Sequence, residues 1–361
     1  MKRKITKGFY ANSCYFRTSV MPPYRKALIQ ITEKCNLKCA HCFVSARKYG
    51  DTIPYVDIKN KILPQLIKSN VISVSLTGGE PMIHPEINKI IKLFIENNIK
   101  VTLCTNGTLI SENQIKEYQS IGGVFFNISL DGFSSQSHGK FRGDKNSFYE
   151  TKNTIEKIGE AGLLKGILVT PNNLASSNEY NEICEFAIEC NAKFVLMNPL
   201  SSMGRGVNSK GKLEAQKAMM TKVKNATSNY KKDIDVVHIR FPYNDKPLSS
   251  CEAGNIIYIF TNGDVTVCPY LVFSTGNPNS QHKREEFIVG NILNDKNIYS
   301  KLKDYNYSFL SSGNNKSCNS CEDNKSCGKG CPAGVISNGG RVGDLDVELC
   351  PKENNKIIHI E

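Results

Sequence analysis

Cys35, Cys39 and Cys42 bring three thiols into eight residues of chain. They follow directly on the apolar run ALIQIT at 27–32, within Glu33-Lys34-Cys35-Asn36-Leu37-Lys38-Cys39-Ala40-His41-Cys42-Phe43. Thiolates this close in a loop can converge on one metal centre. Three of them leave one iron of a [4Fe–4S] cluster without a protein ligand, and an open coordination position is what a metal centre needs to bind a cofactor or substrate. The alternatives are a zinc site or unconnected thiols. Structural zinc sites take four ligands, commonly in C-x2-4-C pairs, and this loop offers three.

Seven further cysteines lie after residue 250, as Cys251-x11-Gly263-x4-Cys268, then Cys318-x2-Cys321-x5-Cys327-x3-Cys331, then Cys350. Residues 311–331 are rich in Ser, Asn, Gly, Lys and Cys, with little apolar content. Such a segment cannot fold around its own hydrophobic core, and metal ligation supplies what the core does not. A zinc ribbon uses two cysteine pairs and leaves the other cysteines unexplained. Of the 14 cysteines, Cys14, Cys104, Cys184 and Cys190 remain scattered.

These ligands need a frame. From residue 26 to about 200, strand-like and helix-like runs alternate: VISVSL at 71–76, KVTLC at 100–104, VFFNISL at 124–130, GILVT at 166–170 and KFVLM at 193–197 read as strands after the first. Between them, helices are expected at about 56–69, after Pro85, after a Ser111/Gln114 capping box, after a Ser147/Glu150 cap, and at 178–190. Six βα units predict a parallel sheet with helices outside it, open or curved into a barrel two units short of eight. Residues 201–211 read as a loop, 212–232 as a lysine-rich helix and 235–241 as a strand. NIIYIF, Thr261-Asn262-Gly263-Asp264 and VTVCPY read as a β-hairpin.

The chain has 361 residues, which predicts one large and one smaller domain. Its net charge is +12, but no compact Lys/Arg block or interleaved aromatic stripe appears, so a diffusely basic surface is favoured over nucleic-acid binding. The start, MKRKITKGFY, lacks the apolar run of a signal peptide, and no span of about 18 apolar residues occurs. A cytoplasmic protein without a membrane segment is expected, where dense cysteine points to metal rather than disulfides.

The Cys-x3-Cys-x2-Cys loop, with His41 in the aromatic slot before the last cysteine, resembles the radical S-adenosylmethionine (SAM) superfamily. The resemblance implies a [4Fe–4S] cluster on Cys35, Cys39 and Cys42, SAM chelating its open iron, and one-electron cleavage to a 5′-deoxyadenosyl radical that abstracts hydrogen. Supporting motifs lie in family order. Gly78, Gly79 and Glu80, followed by Pro81, resemble the contact to the SAM amine. Asn106, Ser129 and Asp131 stand at the next strand ends, the latter two where polar contacts to the ribose are placed. Arg142 resembles the arginine that pairs with the SAM carboxylate.

The later cysteines resemble the seven-cysteine SPASM motif, with Gly290-Asn291-Ile292 between its halves. This implies two auxiliary [4Fe–4S] clusters, one on Cys251, Cys268 and Cys331 and one on Cys318, Cys321, Cys327 and Cys350, making three clusters in all. The first auxiliary set lacks an obvious fourth ligand. Either its site is open, or Cys14, Cys184 or Cys190 completes it. The expected fold is α/β, a partial (β/α)6 TIM-like barrel with a C-terminal cysteine-rich α+β domain. Its divisions are 1–25 N-terminal extension, 26–232 radical SAM core and 233–361 auxiliary-cluster domain. Core packing is expected for Cys104, Cys184 and Cys190. Cys104 and Tyr270 are the weak candidates for a catalytic group.

The resemblance implies a peptide or protein substrate, with maturation of a ribosomally made peptide as the leading reading. No leader-binding domain fits ahead of the barrel, so the leader is expected on a separate leader-binding protein or on another surface, and an electron donor of flavodoxin or ferredoxin type is expected as well. Three alternatives stand: a haem, tetrapyrrole or small-molecule modifying enzyme, a sulfatase maturase, and a non-enzymatic iron–sulfur scaffold. Sulfatase maturases carry an aspartate where this chain has Pro269. A scaffold would not need the Gly-Gly-Glu turn or Arg142.

Overall fold

The computed structural model describes residues 23–241, 248, 251, 256–305, 310 and 312–354. Cys14 and most of the expected N-terminal extension lie outside the described residues. Ten strands form one sheet. They are β1 (Arg25–Thr32), β2 (Val71–Gly78), β3 (Lys100–Thr105), β4 (Val124–Ser129), β5 (Leu164–Val169), β6 (Phe194–Met197), β7 (Asp235–His238), β8 (Ile256–Ile259), β9 (Asp264–Thr266) and β10 (Gly290–Asn291). Their spatial order is β10-β9-β8-β1-β2-β3-β4-β5-β6-β7. Neighbours from β8 to β7 are parallel, while β8–β9 and β9–β10 are antiparallel. The sheet does not close, since β7 and β10 are its two edges. The expected α/β partial barrel is present.

Parallel neighbours need crossovers, and helices supply them. They are α1 (Leu63–Lys68), which continues a helical lead-in from Tyr55, α2 (Ile87–Glu96), α3 (Glu112–Ile121), α4 (Ser147–Glu160), α5 (Glu179–Glu189), α6 (Gly206–Leu213) and α7 (Lys217–Thr227). In α2 the buried side chains Ile87, Ile90, Ile91 and Phe94 fall at helical spacing on one face. The strands alternate as a pleat requires. Ile29, Ile31, Val74, Leu76, Val101, Leu103, Phe126 and Ile128 are buried in the core. Leu28, Ser75, Cys104, Asn127 and Ser129, at the intervening positions, line a cavity of about 1310 Å³ inside the curve of the sheet.

The Ser111/Gln114 capping box forms in both directions. Three expectations are corrected. The cap of α4 is Asn146, because the Ser147 hydroxyl instead donates back to Asp144 O at 2.7 Å. The expected loop 201–211 contains the start of α6, and the expected 212–232 helix is α7 followed by a 3-10 turn at Ser228–Lys232. The expected hairpin forms as β8 and β9, with Gly263 at φ +88° in the turn and its N–H donating to Phe260 O at 2.8 Å. It is continuous with the main sheet, because β8 pairs in parallel with β1 from Lys26↔Ile256 to Ile29↔Ile259.

Two polar staples bind the cysteine-rich end to this frame. Gln65 on α1 donates through Nε2 to Ile292 O and Asp295 O at 2.9 and 2.8 Å and accepts from Ile298 N at 2.8 Å. Arg240, after β7, forks onto Asp346 with Nη1–Oδ2 2.6 Å and Nη2–Oδ1 3.1 Å, and also reaches Glu348. The Arg240 and Asp346 side chains are 1% and 0% exposed. Removing one member of a buried ion pair leaves the other charged and desolvated, at a cost of about 3–5 kcal/mol. Arg240→Met is therefore expected to lower the denaturant midpoint of anaerobically prepared protein by that equivalent. An unchanged midpoint would show that the fork adds nothing to the fold.

Candidate active site

The cysteine loop is fastened on both flanks by backbone. On one side Gly79 N donates to Thr32 O and Glu80 N to Lys34 O, both at 2.8 Å. Side-chain carbons at Gly78 and Gly79 would stand 2.3 Å from Thr32 O and 2.2 Å from Lys34 O, so the approach requires glycine. On the other side Arg205 N donates to Cys42 O at 3.0 Å, Arg205 Nε to Cys39 O at 2.8 Å and Nη1 to Ala46 O at 2.5 Å. Within the loop, Cys35 N donates to Arg47 O at 2.7 Å. The sequence reading missed Arg205, because it lies in a segment read as an ordinary loop. The Gly204-Arg205 pair was the available signal, since a small residue beside a cation suits close docking on carbonyls.

Cys35, Cys39 and Cys42 all line the cavity. Each sulfur has one donor: Leu37 N to Cys35 Sγ at 3.4 Å, Arg142 Nη1 to Cys39 Sγ at 3.8 Å and Ala46 N to Cys42 Sγ at 3.4 Å. Donors of this kind stabilise thiolate ligands and tune iron–sulfur potentials. As free thiols Cys35 and Cys39 are held protonated by burial, which pushes Cys35 up to about 12 and raises Cys39 despite Arg142 and Arg205 nearby. Metal binding must displace those protons. Among the described residues no three His, Cys, Asp or Glu side chains close on a single metal ion, which a mononuclear zinc site requires. In a [4Fe–4S] cluster each thiolate meets its own iron, and three donor-supported thiols around an open cavity fit that group.

The cavity wall continues through the other expected residues. Glu80 is 1% exposed and accepts from Thr105 Oγ1 at 2.6 Å, Asn106 N at 2.8 Å and Met82 N at 3.1 Å. Burial still raises its carboxyl above the usual range. Asn106 also donates through Nδ2 to Asn36 Oδ1 at 3.0 Å, tying the third strand end to the cysteine loop. Asp131 Oδ1 accepts from Thr170 N and Oδ2 from Arg142 Nε, both at 2.7 Å. Burial pushes Asp131 up, but the Arg142 guanidinium beside it holds it below the usual carboxylate value. Arg142 stays charged. His41 stacks on Phe141 with centroids 4.5 Å apart and planes 8° apart. Burial lowers His41 to about 4 and His138 to about 3, so both are neutral at pH 7. Ser129 lines the same wall.

Tyr270 lies on α8 (Pro269–Ser274), lines the cavity and meets Phe43 with ring centroids 5.5 Å apart. Cys104 faces the lumen from β3. Cys184 and Cys190 are buried at α5 and its C-terminal cap, and Cys190 packs against Gly159 of α4. Cys268 has Cys251 and Cys331 as electrostatic neighbours. Cys331 N donates to Asp346 Oδ2 at 3.1 Å. In the other expected set, Asn315 Nδ2 donates to Cys318 Sγ at 3.5 Å and Lys329 N to Cys327 Sγ at 3.4 Å, donors of the same kind as those in the first loop.

Comparison with known proteins bears on this arrangement. The family model for the radical SAM superfamily matches residues 29–176. The antilisterial bacteriocin subtilosin biosynthesis protein AlbA of Bacillus subtilis (strain 168) is 27% identical over 278 residues, which is 74% of this chain and 57% of AlbA. An AdoMet-dependent heme synthase of Oleidesulfovibrio alaskensis is 30% identical over 172 residues, 45% of this chain and 43% of that protein. This chain thus spans less than two thirds of the length of either relative. Streptococcus suis SuiB, solved with its precursor peptide SuiA, shares the fold with a TM-score of 0.65 at 20% identity, over 90% of this chain and 75% of SuiB. Residues 29–176, which carry all three thiols, Glu80 and the Asp131–Arg142 pair, thus match a radical SAM domain.

Proposed function

We propose that this chain is a cytoplasmic radical SAM/SPASM enzyme that modifies a ribosomally made peptide and holds three [4Fe–4S] clusters. The observation that carries the reading is the set of three donor-supported thiols at the rim of a cavity whose wall continues into Glu80, Asp131 and Arg142. Cys35, Cys39 and Cys42 would hold the catalytic cluster, Cys251, Cys268 and Cys331 the first auxiliary cluster, and Cys318, Cys321, Cys327 and Cys350 the second. With cluster and SAM bound, one electron cleaves SAM and supplies the radical that takes a hydrogen atom from the substrate.

The chain's own groups orient SAM. A carboxylate offers about four acceptor positions. Glu80 uses three on protein donors, which leaves one for the SAM ammonium. Arg142 spends Nε on Asp131 and turns its Nη edge towards Cys39, where it can fork onto the SAM carboxylate. Gly78 and Gly79 let the strand end dock on the cysteine loop and carry Glu80 inward, and Asn106, Ser129 and Asp131 offer polar contacts further along the strand ends. The peptide substrate is supported by the AlbA alignment, which runs far beyond the matched core, whereas the heme synthase alignment covers 45% of the chain. SuiB, crystallised with its precursor peptide, has the same fold. An electron donor of flavodoxin or ferredoxin type completes the reading, with the peptide leader held by a separate leader-binding protein or by another surface. Among the described residues no helix is long and apolar enough to cross a membrane.

Anaerobic reconstitution is expected to load about twelve irons per chain, with 5′-deoxyadenosine formed from SAM and dithionite. A Cys35→Ala/Cys39→Ala/Cys42→Ala variant should retain about eight irons and form no deoxyadenosine. About four irons in active wild-type protein would remove the auxiliary clusters, and well-loaded protein that never cleaves SAM would remove the activity. Precursor peptides encoded beside the gene should stimulate deoxyadenosine formation and change in mass. Arg205→Gln, which frees Cys39 O and Ala46 O from their clamp, should lower iron retention after desalting and broaden the catalytic cluster's electron paramagnetic resonance signal. The far-UV circular dichroism should not change. Wild-type retention would assign the clamp no part in holding the loop.

A further inference from the structure

Below the thiols, the lumen holds polar groups that the chemistry above does not use. Ser75 on β2, Cys104 on β3 and Asn127 on β4 face the cavity from three successive strands, and Cys104 and Asn127 are register partners. Asn127 Nδ2 donates to Cys104 Sγ at 3.8 Å. Ser75 is 1% and Asn127 8% exposed, yet Ser75 Oγ and Asn127 Oδ1 have no hydrogen-bond partner among the described residues. Buried polar atoms are ordinarily paired, so two orphans on one cavity mark where ligand atoms belong. The cavity, at about 1310 Å³, also exceeds the roughly 300–1,000 Å³ of a single small-molecule pocket. There is room for a group beyond the cofactor.

Charge says what kind of group. Lys165 of β5 is half-buried, and its Nζ reaches only Thr102 Oγ1, at 3.4 Å; no carboxylate among the described residues lies within ion-pair reach. Lysines drawn in from solvent are normally paired. Cys104 is the common neighbour, lying in the field of both Lys165 and Lys26. Among the carboxylates on the cavity, Glu80 and Asp131 are committed to protein donors at the strand C-terminal ends, and Asp233 and Asp235 stand at the start of β7.

We propose that Lys165, Ser75 and Asn127 form a carboxylate-reading subsite on the lumen floor, which seats a substrate carboxylate adjacent to an N–H. The carboxylate accepts from the Lys165 ammonium and the Ser75 hydroxyl, and the neighbouring N–H donates to Asn127 Oδ1. Two parts of a peptide carry that pairing: the C-terminal residue, and an Asp or Glu side chain beside its own backbone N–H. The subsite rests on the peptide reading and names the substrate feature that this site selects.

The test is ligand-observed saturation-transfer NMR on the reconstituted full chain with saturating SAM, which fills the strand-end site. N-acetylglycine stands for a peptide C-terminus, N-acetylaspartic acid α-amide for a side-chain carboxylate, and N-acetylglycinamide for neither. At least one acid is expected to bind with a dissociation constant ten-fold or more below that of N-acetylglycinamide, and the better acid identifies the source. Lys165→Met and Asn127→Asp should each weaken that acid ten-fold or more, and Lys231→Met at the cavity edge should not. Should Lys165→Met fail to fold, Ser75→Ala, which removes the proposed hydroxyl donor, gives the same readout. Equal binding of acid and amide, no binding of either, or equal loss in Lys231→Met overturns the subsite. The peptide reading is judged separately. Acid binding without peptide-stimulated deoxyadenosine would remove the peptide and keep the subsite, while peptide stimulation without acid binding would remove the subsite alone.

Discussion

The approach of two backbones, Gly78-Gly79 against Thr32 and Lys34, is the constraint on which the site depends. Carbonyl oxygens stand where side-chain carbons would be, so the end of β2 can lie on the start of the cysteine loop only if both positions are glycine. Once it lies there, Glu80 is carried inward and its carboxylate gathers Thr105 and Asn106 from the end of β3. Asn106 in turn reaches back to Asn36 inside the loop. A contact between two neighbouring strands thus becomes a closed circuit of β2, β3 and loop. Gly204 repeats the device on the far flank, where a side-chain carbon would meet Phe43 O at 2.4 Å and Cys42 O at 2.5 Å. The loop contributes few buried apolar side chains, chiefly Leu37 and Ala46, so these backbone and polar bonds do the work that a core does elsewhere.

Charge inside the site is held to a narrow set. Asp131 is almost fully buried and answered by Arg142, with Thr170 N on its other oxygen. Two histidines stand near that pair, and burial keeps both neutral, so one permanent cation rather than three faces Cys39 from this side. The distinction matters for a thiolate-rich centre. A fixed guanidinium stabilises negative charge at every pH the protein meets, while a titrating imidazolium would make the field vary.

Much of this was legible in the sequence, and the misses have physical reasons. Cysteine spacing and strand-terminal motifs are local, and the structure places Gly79, Glu80, Asn106, Ser129, Asp131 and Arg142 on one cavity wall. The Ser111 capping box was readable because both partners lie within one helical turn. Ser147 misled because a hydroxyl can serve the turn before it as readily as the helix after it. Arg205 was invisible because its partners, Cys39 O and Ala46 O, are backbone atoms more than 150 residues away. The hairpin of β8 and β9 is legible in its Asn-Gly turn, but its attachment to β1 is a pairing between chain segments that no local pattern records. The lumen residues Ser75 and Asn127 were likewise unremarkable as single letters in strands, and become notable only when three strands bring them together.

The cysteine-rich end shows how a segment without a core can still be placed. Asp346 is its fixed point. The carboxylate is pinned by Arg240 at the end of β7 and receives Cys331 N, while its backbone carbonyl receives Cys350 N at 2.9 Å. In the proposed reading Cys331 and Cys350 serve different auxiliary sets, so one residue tied to the sheet would fix a member of each. Between Cys327 and Cys331 the chain passes through Lys329 at φ +67° and Gly330 at φ +85°, consecutive left-handed residues that turn the backbone sharply. The carbon of a side chain at Gly330 would lie 2.6 Å from Asp346 Oδ2, so glycine is needed there both for the turn and for the approach to the fixed point. In that reading Cys327 and Cys331 can serve separate sets because the turn between them is built against the buried carboxylate that receives Cys331 N.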